Sequence, residues 1–128
     1  MNNIAFILLA ALLISQTMTQ VTIPTLPTIS VIDIVGPLTT TAFGCLANDG
    51  HQNVIVRAYS LDNGGSVDPN AVQTLANAKS ANLGIFIYMV ICRNGDAKSQ
   101  VDTLVGSISS SQYSGVWIKV EPNTVSGC

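Results

Sequence analysis

The chain is 128 residues long, 48% hydrophobic and only 9% charged, with a formal net charge of −2. That length holds it to one domain, and its apolar content is the opposite of the compositional signature of disorder. Five basic residues scattered singly give no electrostatic footprint for nucleic acid or an anionic membrane surface, so both partners are set aside.

The N-terminus carries "IAFILLAALLI" (Ile4–Ile14), followed by the small polar stretch "SQTMTQ". An apolar run of about eleven residues suits a signal-peptide core and falls short of the roughly 20 needed to span a bilayer. Residues 1–20 are therefore read as a signal peptide, cleaved near Thr17 to Gln20, although the region before the core lacks Lys or Arg. The expected destination is secretion or a phagosomal or lysosomal vesicle, with no membrane contact after removal. Residues 21–29 read as a Pro/Thr-rich linker and residues 30–128 as the folded domain. In an oxidising compartment Cys45, Cys92 and Cys128 allow one disulfide and one odd thiol, and the sequence does not choose the pair.

From Ser30 the pattern becomes regular. "SVIDIVG" is predicted strand one, and "TTTAFGCLANDG" a helix with Phe43, Leu46 and Ala47 on one face and Gly50 as its stop. "NVIVRAYS" is strand two. "DPNAVQTLANAKSANLG" reads as a helix capped by Asp68, with Pro69 at its first position and its end near Ala81. "GIFIYMVI" is strand three. "AKSQVDTLVGSIS" places Val101, Leu104, Val105 and Ile108 on one helical stripe, expected to be buried. "GVWIKV" is strand four, with its apolar residues expected to be buried as well.

The order β-α-β-α-β-α-β, with strands that are nearly continuous hydrophobic runs, predicts an α/β fold of parallel strands covered on both faces and joined by right-handed helical crossovers. An open doubly wound sheet and part of a (β/α)8 barrel both accommodate it, and in both, function gathers at the carboxyl ends of the strands. Asp33 lies in mid-strand, where an ionised carboxylate needs a partner or a task. Arg57 and Tyr59 end strand two, Tyr88 lies in strand three, and Lys119 and Glu121 close strand four. Asp49 and His51 fall at the opposite edge as turn residues. Asp68 and Asp96 read as helix caps and Asp102 as helix surface. Arg57 suits either substrate contact or neutralisation of Asp33. A histidine-dependent triad fails because His51 is the only histidine and lies at the wrong edge. A carboxylate pair on barrel strands, the apparatus of glycoside hydrolysis, remains.

These pieces resemble the lysozymes of glycoside hydrolase family 25, especially the amoeba, ciliate and nematode forms. The resemblance rests on "VIDIVGPLTTTAFGCLANDG", "VIVRAYSLDNGGSVDPNAVQTLANAKSANLG", "IYMVIC" and "GVWIKVE", in the right order over about residues 30–121. It implies a (β/α)8 TIM-like barrel, no cofactor, and hydrolysis of the β-1,4 bond between N-acetylmuramic acid and N-acetylglucosamine in bacterial peptidoglycan. By the same resemblance Asp33 matches the carboxylate on strand one, Glu121 the general acid of a D-x-E motif, and Tyr88 a tyrosine of the cleft. Arg57, Tyr59 and Lys119 join them as candidate substrate contacts.

Two departures stand out. Lys119 occupies the Asp position of D-x-E, where the family's carboxylate orients the substrate's acetamido group. A general acid needs a raised pKa, and an ammonium beside a carboxylate works against that. In addition, a barrel of this type needs about 200 residues or more, so the chain is expected to hold only its first half, truncated after strand four. Open strand edges would then favour self-association. A non-catalytic peptidoglycan-binding or regulatory module is the alternative to a weakened hydrolase.

Overall fold

The computed structural model describes residues 30–121; the predicted signal peptide, the linker and Cys128 lie outside the described residues. Its elements are β1 (Val31–Ile34), α1 (Thr40–Asn48), β2 (Asn53–Ser60), β3 (Ser66–Val67), α2 (Ala71–Ser80), β4 (Gly84–Val90), α3 (Ala97–Ser107) and β5 (Val116–Lys119). The four predicted strands and three predicted helices all form, and the two-residue β3 is an addition.

Strands β1, β2, β4 and β5 lie side by side in that order and are parallel throughout, while β3 pairs antiparallel with β2. When successive parallel strands are also neighbours, right-handed crossovers carry every helix to the same face of the sheet. The core shows this arrangement. Phe43 of α1, Leu75 and Ala78 of α2, and Leu104 of α3 pack with Ile34, Val54, Val56, Ile87 and Met89 in one cluster. The strand order does not reverse, so the doubly wound alternative, with helices on both faces, is not what the chain forms. The sheet is open over residues 30–121.

Local chemistry sets the helix boundaries. The Thr39 side chain accepts the Ala42 N–H at 3.2 Å, and Gly50, at φ +91°, ends the turn after α1. Asp96 caps α3 by accepting the Ser99 N–H at 2.7 Å, as expected. Helix α2 starts differently from the prediction. Its N-cap is Asn70, without a side-chain cap bond, and the first helical residue is Ala71 rather than Pro69. Asp68 divides its carboxylate between Arg57 and the Asn70 N–H at the approach to α2, as described below.

Three further expectations are corrected. Among the described residues helices cover one face of the sheet only, and Asp33 is solvent-exposed, so its carboxylate is not stranded in a dry strand. On α3, Leu104 and Ile108 are buried, but Val101 and Val105 are exposed; the buried face is completed by Gln100. The Gln100 amide is spent on one backbone unit, accepting from Cys92 N at 2.7 Å and donating to Cys92 O at 3.0 Å. Finally, every residue of β5 is exposed, including Val116, Trp117 and Ile118. Among the described residues β5 pairs only with β4, so its outer edge and much of its surface are uncovered. Cys92 is disulfide-bonded and Cys45 is a free, exposed thiol, which removes Cys45 from the possible pairs.

Candidate active site

The face of the sheet opposite the helices carries the site. Register places Asp33 beside Ile55, Arg57 beside Tyr88, Tyr88 beside Trp117, and Val90 beside Lys119. Since alternate residues of a strand share a face, Asp33, Ile55, Arg57, Tyr88, Trp117 and Lys119 point to the same side. Two adjoining cavities open there. One, of about 200 Å³, is mostly apolar and is lined by Asp33, Ile55, Tyr88, Trp117, Ile118 and Lys119. The other, of about 260 Å³, is more polar and includes Arg57, Ser60, Asp62, Tyr88, Lys119 and Glu121 in its wall. Five of the six predicted site residues therefore meet, at or near the carboxyl ends of the parallel strands.

Tyr59 is the sixth, and it goes elsewhere. A register shift between Arg57 and Tyr59 interrupts the alternation of β2. A bulge of this kind reverses which residues face which side. Tyr59, 3% exposed, turns into the helix-side core, where burial raises its phenol above the usual tyrosine value. Its hydroxyl lies against Gly65: a Cβ there would stand 2.8 Å from the oxygen, and φ is +104°. The same shift delivers Ser60 and Asp62 to the polar cavity, joined by a 2.8 Å hydrogen bond from Ser60 Oγ to Asp62 Oδ2. Sequence reasoning missed Ser60. Strict alternation assigns Ser60 to the wrong face.

Arg57 pairs with Asp68, not with Asp33. Its Nε and Nη2 both donate to Asp68 Oδ2, at 3.2 and 2.9 Å. Asp68 Oδ1 accepts the Asn70 N–H at 3.0 Å, and the Asp68 side chain is only 4% exposed. This bond to Asp68 is the main reason the guanidinium is raised above its already high ordinary value. Asp68 thus fixes the cleft-lining Arg57 and the approach to α2 with one carboxylate. The sequence signal was present in the D-P-N triplet but read as a cap.

Tyr88 forms the cleft floor. Burial first, and the nearby Asp33 carboxylate second, raise its phenol above the ordinary value, against opposing effects of Lys119 and Arg57. Lys119 extends over it, with Nζ 5.7 Å from the ring centroid, and donates to Glu121 Oε1 at 2.7 Å. The hydrogen bond to Glu121 is the largest cause of the raised Lys119 ammonium, followed by the charge of the same carboxylate. The cation and the carboxylate of "WIKVE" are therefore direct partners. Trp117, 59% exposed beside Tyr88, offers a further aromatic surface that was absent from the predicted site.

Comparison with known proteins identifies the family. The family model described as lysozyme-like protein 1 matches residues 26–126. Among curated relatives, lysozyme-like protein 7 of Caenorhabditis elegans is 31% identical over 97 residues, covering 73% of this chain and 34% of that protein. The probable GH family 25 lysozyme 4 of Dictyostelium discoideum is 33% identical over 89 residues, covering 66% of this chain and 41% of its own length. Lysozyme-like protein 5 of C. elegans is 30% identical over 96 residues, with 70% and 44% covered. No solved structure matches. The chain spans between a third and a half of the length of these relatives. With most of its length matched by the family model, the chain belongs to the lysozyme-like protein family.

Proposed function

We propose that this cleft binds the glycan strand of bacterial peptidoglycan, and that the chain supplies part of a lysozyme-type glycoside hydrolase acting on the β-1,4 bond between N-acetylmuramic acid and N-acetylglucosamine. The observation that carries this reading is the convergence of Asp33, Tyr88 and Glu121 with Trp117 in adjoining cavities at the carboxyl ends of parallel strands. Aromatic faces suit the apolar faces of sugar rings, while carboxylates and Arg57 suit hydroxyl and amide groups. In the hydrolytic step Glu121 would protonate the leaving glycosidic oxygen as that C–O bond breaks and the substrate's own acetamido oxygen closes on the anomeric carbon. Water, deprotonated by the Glu121 carboxylate, would then open that intermediate, with Asp33 beside Tyr88 across the floor. The protein is proposed to work outside the cell or in a phagosomal or lysosomal vesicle, without a cofactor, in antibacterial defence.

One observation favours binding without turnover. Lys119 donates to Glu121 Oε1 at 2.7 Å, the carboxyl group that a general acid would use to donate. Lys119 thus opposes the role proposed for its partner.

Clearing of a peptidoglycan suspension by purified protein, over a pH series, separates the two. Hydrolysis predicts clearing that Glu121→Gln abolishes and Lys119→Asp increases, since an electrostatic group acting in a transition state is typically worth about 10²–10³ in rate. Retention on insoluble peptidoglycan above that on cellulose, without clearing by parent or variants, supports the binding module. Equal retention on both polymers with no clearing sinks the glycan reading.

A further inference from the structure

The two cavities share only Tyr88 and Lys119 in their linings. These two residues differ in one respect. Tyr88 is 5% exposed and packed among Leu61, Val90 and Cys92, so its ring is a fixed floor. The Lys119 side chain is half exposed and belongs to a four-residue edge strand whose residues are all exposed. Its ammonium is held by one exposed carboxylate and one aromatic face, both on the cleft itself. Those two contacts are what hold the ammonium among the described residues, and lysine has the rotatable bonds to swing clear.

We propose that Lys119 is a movable partition that sets the length of ligand the cleft accepts. This deepens the glycan reading above and rests on it. A ligand confined to one cavity leaves the Lys119–Glu121 bridge intact. A ligand long enough to occupy both must cross the Tyr88 ring, and the space over that ring is where the ammonium stands. Crossing therefore requires Lys119 to leave Glu121 and the ring together. Exposed ion pairs and exposed cation–π contacts are each weak. Their joint loss corresponds to about a tenfold reduction in affinity, enough to discriminate by length and too little to close the site. The bridge is also exposed to solvent ions, so salt should weaken the partition without touching the floor.

The test uses N-acetylglucosamine dimer and tetramer, which are uncharged, titrated calorimetrically into the full chain. The parent should bind the two with similar affinity at low ionic strength. Lys119→Met keeps the apolar stem and removes the charge; it should raise the tetramer-to-dimer affinity ratio about tenfold. About 1 M NaCl should bring the parent's tetramer affinity toward that of Lys119→Met and leave the variant unaffected. The salt arm needs no variant, and Lys119→Gln serves if Lys119→Met folds poorly by circular dichroism. Unchanged or weaker tetramer binding by a folded variant overturns the partition, because Lys119 would then be inert or a ligand contact. An equal gain for dimer and tetramer overturns it too. Failure of every protein to bind either oligomer removes the glycan reading along with the partition, whereas binding with the same tetramer-to-dimer ratio in parent and variant removes the partition alone.

Discussion

Replacing Asp68 by alanine should be among the most damaging single changes on the cleft side of the sheet. The carboxylate accepts two bonds from Arg57 and one from the Asn70 N–H, with its side chain 4% exposed. Its removal leaves the guanidinium, 26% exposed, without a counter-charge and frees the backbone turn into α2. Breaking one side of a buried pair costs about 3–5 kcal/mol. Arg57 keeps partial access to water, which reduces the expected cost to about 2–3 kcal/mol. For a domain of this size that is a fall in Tm of roughly 10–20 °C. Thermal and urea denaturation followed by circular dichroism measures it. The double variant Arg57→Met/Asp68→Leu should recover to within about 1 kcal/mol of the parent, because an apolar pair carries no unpaired charge. A loss below about 0.5 kcal/mol for Asp68→Ala would show that the pair does not brace the cleft wall, and the reasoning would fail.

Gly65→Ala should destabilise by about 2 kcal/mol, read by the same denaturation, because the residue sits at φ +104° and its new Cβ would press on the Tyr59 hydroxyl. Stability should fall in alkali: the phenols of Tyr59 and Tyr88 and the ammonium of Lys119 are all raised in the folded state. Groups of that kind contribute fully below their unfolded values, 10.0 for tyrosine and 10.5 for lysine, and lose the contribution as pH rises through the folded ones. Absorbance titration of tyrosinate should show late-titrating phenols that become ordinary on unfolding, and a titration identical in native and denatured protein would contradict this. The exposed Val116, Trp117 and Ile118 of the edge strand, with Val120 just after it, should make the chain self-associate, detected as concentration-dependent light scattering. A monodisperse monomer at all concentrations, reduced or oxidised, would refute it.

The sequence by itself determined the element order, the parallel sense of the strands and the family. Period-two and period-3.6 hydrophobic patterns are local properties, and Thr39 and Asp96 cap their helices through bonds three residues away. It also grouped Asp33, Arg57, Tyr88, Lys119 and Glu121, which line adjoining cavities, since residue parity and position along the strand require no tertiary detail. Only the tertiary structure decided the rest. Whether an apolar strand is covered depends on what packs against it, so β5 and the Val101–Val105 side of α3 read as core and are exposed. Whether Arg57 meets Asp33 or Asp68 depends on where the chain returns after β3, a contact eleven positions apart that no periodicity encodes. The bulge that sends Tyr59 inward and Ser60 into the cleft arises from pairing with β4 and leaves no mark in a single strand's pattern. Local signals specify which way a side chain starts; the neighbour that meets it is chosen by the packing of elements distant in sequence.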